Sequence, residues 1–182
     1  MSATSVWFHE DDSCQIELLP KVCLDFARRE VRAIYDFSRA HEAPGGVGWT
    51  DVYMQKPPPV PFGTLCIALA ELASIVPPAL EFFEHVTTGY GAHVETAENT
   101  VAWGNGRSGL IFADTDSARV VQHVWFMHFA SADVPVVGSF LSACAGKWGL
   151  ILADWAWCQV VDLRDDDAVK QYLELRSSPP PQ

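Results

Sequence analysis

The chain has 182 residues, 49% of them hydrophobic and 19% charged, which excludes a disordered protein and suits one domain with a sizeable core. Its formal net charge of −11 argues against binding a nucleic-acid backbone or an anionic membrane, since both need a basic patch. Five cysteines are scattered without a C-x-x-C pair, which points to a reducing compartment rather than a disulfide framework.

Residues 5–8 and 14–19 are expected to be short strands around the acidic turn His9-Glu10-Asp11-Asp12. The first twenty residues carry four acids (Glu10, Asp11, Asp12, Glu17) and no Lys or Arg. An amphipathic helix follows over 21–41. Cys23, Phe26, Ala27, Ile34 and Phe37 make its apolar stripe, and Arg28, Arg32, Asp36 and Arg39 lie opposite. A glycine turn at 43–48 ends it, 49–54 reads as a strand, and Pro57–Pro61 is a stiff connector. The apolar spacing over 62–76 predicts a nearly buried helix. It is too short to cross a bilayer, and the N-terminus lacks a basic region followed by an apolar run, so the expectation is a cytoplasmic protein.

Strands are expected at 83–88, 93–96, 99–103, 110–113 and 119–129, with turns at 104–109 and 114–117. Asp133 is placed to cap a helix over 134–146. The run LILADWAWCQVVDL at 150–163 reads as one strong strand, in which Trp155 and Trp157 share a face. Asp165, Asp166 and Asp167 open a last helix with Val169, Tyr172 and Leu173 inward. Residues 177–182 read as a frayed, Pro-rich tail. The expected fold is α+β: a single domain over 1–176, with a largely antiparallel sheet and three to four packed helices.

No catalytic constellation emerges. His9, Glu10, Asp11, Asp12 and Cys14 are ligand types for zinc or manganese, but neighbours on one turn do not all converge on one ion. A metal site there needs a His or an acid from a distant segment. An Asp-rich solvated turn is the preferred reading. His123 and His128 fall on opposite faces of a strand, and His85 and His93 meet only if 86–92 forms a hairpin. Gly104–Gly109 lacks the Gly-Lys-Ser/Thr ending of a phosphate loop and reads as a hairpin turn. Asp114 and Asp116 form a D-x-D that reads as a turn. There is no G-x-S-x-G, and Cys158 lies in a position suited to packing. No catalytic residue, metal ligand or cofactor is therefore assigned.

The opening VWFHEDDSCQIELLP and the closing LILADWAWCQVVDLRDDDAVKQYL resemble small acidic bacterial immunity proteins encoded beside polymorphic toxins, including type VI secretion effectors. The resemblance implies a cytosolic protein that binds a cognate toxin domain with a basic cleft and occludes its active site. Glu10, Asp11 and Asp12 are the expected docking acids, followed by Asp114 and Asp116. The alternatives are a small metal-dependent hydrolase or damage-reversing enzyme using His9 and nearby acids, and an adaptor or chaperone that loads an effector.

Overall fold

Segments with apolar residues on both faces assemble into the central sheet. The structure, a computed structural model, describes residues 5–177 other than Arg107 and His128. The first strands and helices are β1 (Val6–His9), β2 (Ile16–Pro20), α1 (Leu24–Ala40) and α2 (Leu69–Ala73). Then come β3 (Glu81–Phe83), β4 (Val86–Tyr90), β5 (His93–Thr96), β6 (Thr100–Asn105), β7 (Ser108–Thr115) and β8 (Val121–Phe126). The chain closes with α3 (Val134–Lys147), β9 (Leu150–Asp154), β10 (Gln159–Asp162) and α4 (Asp166–Ser177).

The large sheet runs β10-β9-β2-β8-β7-β6-β3 and is antiparallel throughout. A smaller sheet, β1-β4-β5, contains the parallel pair β1–β4. The fold is α+β, as expected, with four α-helices among the described residues, within the expected three to four. The central place of β8 suits its apolar residues on both faces.

Pleat alternation separates the two faces of the large sheet. Ile16 and Leu18 of β2, with Val124 and Phe126 of β8, pack on one side against Phe140, Leu141 and Cys144 of α3 and Tyr172 and Leu173 of α4. The other side carries two clusters. Val6, Phe8 and Val86 of the small sheet cover Ala102, Phe112 and Trp125. Cys23, just before α1, and Ala27 within it cover Leu19, Ile151 and Ala153. A seam lies between the small sheet and α1, and the β1–β2 connection crosses it.

Several expectations are corrected. The two short strands form around the acidic turn as expected, but β1 and β2 enter different sheets, so the turn is a layer crossing. Residues 49–54 are not a strand: only an isolated bridge joins Glu42 to Trp49, and the segment lies against α1, where Tyr53 bonds Glu30 and packs on Phe37. The expected helix over 62–76 is a 3-10 turn at Phe62–Leu65 followed by the short α2. Between them Cys66 adopts φ 53°, and Val121 and Leu69 N–H bond Ile67 and Arg119 carbonyls, which draws the chain out of helix. Cys66 is exposed, against its expected place in an apolar helix, whereas Cys23 and Cys144 are buried.

The run at 150–163 folds back on itself as the β9–β10 hairpin, with Cys158 at φ 51° in its turn. Trp155 and Trp157 therefore do not alternate along one strand. Trp155 is core, and Trp157 is half-buried. Asp133 precedes α3, but its carboxylate accepts from Ala130 N–H and not from the helix. The expected tail beyond residue 177 lies outside the described residues.

Candidate functional site

Two neighbouring groups of side chains emerge along the β1–β2 segment. The first is its outer edge. Alternation in β1 turns Val6 and Phe8 inward and leaves Trp7 47% exposed. The Trp7 ring meets His9 edge-on at 6.1 Å, and His9 meets the exposed Tyr90 at 5.2 Å. His9 Nδ1 accepts from Asp11 N–H at 3.2 Å and caps the 3-10 turn Glu10–Asp12. Glu10 and Asp11 are exposed, and Asp12 is half-buried. This edge is thus a row of aromatic rings beside two exposed carboxylates, that of Asp11 lying 3.6 Å from His9 Nδ1.

The second group lies in the seam. Cys14 is held at φ 56°, a left-handed conformation that costs a non-glycine residue on the order of 1 kcal/mol or more. Glu17 points to the seam side of β2 and is 6% exposed. Its Oε1 accepts from Trp155 Nε1 at 2.8 Å, and its Oε2 lies 4.0 Å from His123 Nδ1. His123 comes from β8, whose Trp125 is the register partner of Glu17. Ligand atoms of Cys14, Glu17 and His123 lie within 4.8 Å of one another, the one such cluster among the described residues. The Cys14 thiol first, and the Glu17 carboxylate next, push the His123 imidazole up to about 10 against the opposing effect of burial.

The remaining residues singled out from the sequence scatter. Asp114 is the register partner of His123, but its carboxylate accepts from Thr100 Oγ1 at 2.8 Å. Asp116 accepts from Ala118 and Val120 N–H at 2.9 Å each and from Gln122 at 3.3 Å, so it builds the β7–β8 turn. His85 and His93 flank a real β4–β5 hairpin, but its register places them at opposite ends. Gly104–Gly109 spans the β6–β7 hairpin tip, with Gly106 at φ 63°; Arg107 lies outside the described residues, as does His128. Burial pushes the Cys158 thiol up, as does the charge of Asp154, which suits a packing role better than attack.

Sequence reasoning missed Glu17 and the joining of Cys14 to His123. The available signal was a Cys and a Glu three apart, but nothing local specifies which distant histidine meets them. It also missed the exposed apolar loop made by Val47, Trp49, Val52 and Met54, each at least 67% exposed. This loop is anchored by Glu30 of α1, which accepts from Tyr53 OH and Lys56 N–H at 2.9 Å each. No helix among the described residues is long and apolar enough to cross a membrane. No protein-family model, curated protein or solved structure matches the chain.

Proposed function

We propose that this chain is a cytoplasmic immunity protein that binds a toxin domain with a basic cleft and occludes its active site or substrate-binding surface. The observation that supports this reading is the exposed edge of Trp7, His9 and Tyr90 beside Glu10 and Asp11. Aromatic anchors next to an acidic rim are the composition of a protein-binding hot spot. The carboxylates steer encounter with a cationic cleft, and the rings supply most of the affinity once they are desolvated. Of the five expected docking acids, Glu10 and Asp11 carry this role most directly, because Asp114 and Asp116 are engaged within the fold.

The test is co-expression and binding with the toxin domain encoded beside this gene. The chain protects the cell, and the Glu10/Asp11/Asp12→Ala variant stays folded but associates more slowly, with a flatter salt dependence. Trp7→Ala and Tyr90→Ala act on dissociation instead, each costing about 2 kcal/mol of binding if they are anchors. An unchanged association rate and salt response in the acidic variant removes this edge from the interface. Trp49→Ala measures the share of the exposed loop in the same assay.

A further inference from the structure

We infer that Cys14, Glu17 and His123 form a binding site for a zinc ion in the seam between the small sheet and α1. Their ligand atoms all lie within 4.8 Å of one another. The centre of any such triangle is at most about 2.8 Å from each corner, so adjustments of well under 1 Å bring all three to zinc-ligand distances of about 2.0–2.3 Å.

The donor set selects the metal. A thiolate, an imidazole and one carboxylate suit zinc, whereas magnesium and calcium take shells of oxygen ligands. Two features hold the donors in place. Cys14 is fixed in a left-handed backbone conformation at the entrance to β2. Glu17 is buried, and Trp155 Nε1 fixes one of its oxygens at 2.8 Å. Such an outer hydrogen bond is how proteins orient a metal-ligating carboxylate.

The third ligand arrives from β8, one strand away, so the site joins the β1–β2 crossing to the centre of the large sheet. The His123 side chain is 48% exposed, which gives the ion a path from solvent and leaves a fourth coordination position open to water. Bound there, zinc fixes the segment that carries Glu10 and Asp11 a few residues upstream.

The experiment uses the full chain, stripped with a chelator and then titrated with Zn2+ and, separately, Co2+. The expected result is one ion per chain, a rise in melting temperature with Zn2+ but not with Mg2+, and thiolate-to-cobalt charge-transfer absorption with Co2+. Cys14→Ser and His123→Gln lose the stoichiometric ion and the thiolate absorption, while Cys158→Ser and His9→Gln keep both. Trp155→Phe weakens zinc binding roughly tenfold. Circular dichroism checks each fold, and His123→Gln, altered at a half-exposed side chain, decides the matter if Cys14→Ser does not fold. Absence of a stoichiometric ion in the wild-type chain overturns the inference, as does undiminished binding in folded His123→Gln.

Discussion

Asp154, at the end of β9, has no exposed surface, and both oxygens of its carboxylate accept hydrogen bonds. Arg176 of α4 donates through Nε at 2.7 Å and through Nη2, Tyr172 OH donates at 2.8 Å, and Trp157 N–H donates at 2.9 Å to the other oxygen. The Trp157 ring lies 4.1 Å from the Arg176 guanidinium and covers it. Burial first, and then the Asp154 charge, raise the Tyr172 phenol above its ordinary value, so it remains a donor. Removing the guanidinium strands a buried carboxylate, which costs far more than a surface pair. Arg176→Met is expected to destabilise the fold by about 3–5 kcal/mol in urea unfolding. Adding Asp154→Asn returns part of that loss, because the stranded charge is gone. Nothing in the local sequence distinguishes Asp154 from the other acids, since its importance arises only when α4 is laid across the β9–β10 hairpin.

The 3-10 turn Lys21–Cys23 that leads into α1 and the edge strand β10 are joined by Lys21 and Asp162, whose charged atoms are 2.8 Å apart. The Lys21 ammonium, with help from Arg164 N–H, holds the Asp162 carboxyl below its ordinary range despite partial burial. A carboxyl depressed in the fold adds stability above its unfolded value and loses it as pH falls through the folded value. Lys21→Met should therefore lower stability near neutrality by up to about 1 kcal/mol, the range of a partly exposed pair. The gap to wild type should close as unfolding is repeated at successively lower pH below about 4. At this scale the amphipathic period of α1 was readable, because its charged face meets water and its apolar face meets the sheet. The hairpin within 150–163 was not: an apolar run looks the same whether it continues or reverses, and the reversal depends on Asp154 accepting from Trp157 N–H.

Across the whole molecule, two layers on one sheet face leave a seam, and the proposed zinc site and docking edge both follow the chain that crosses it. Phe8 clamps the small sheet to the large one, with its ring 4.8 Å from Trp125 and 5.4 Å from Phe112, which stack on each other at 4.2 Å. Phe8→Ala is expected to cost about 3–5 kcal/mol in equilibrium unfolding, and to weaken hydrogen-exchange protection of β1 and β4 more than that of β9. By itself the sequence determined the fold class, the place of most strands from β4 to β8, the helices α1, α3 and α4, and the acidic character of the first twenty residues. These follow from local periodicity, turn chemistry and charge, which each segment carries alone. Tertiary structure decided that β1 and β2 belong to different sheets and that 49–54 lies against α1 instead of joining a sheet. It also decided that His123 of the central strand meets Cys14 and Glu17, because strand pairing is a choice among distant edges that only the packed core resolves.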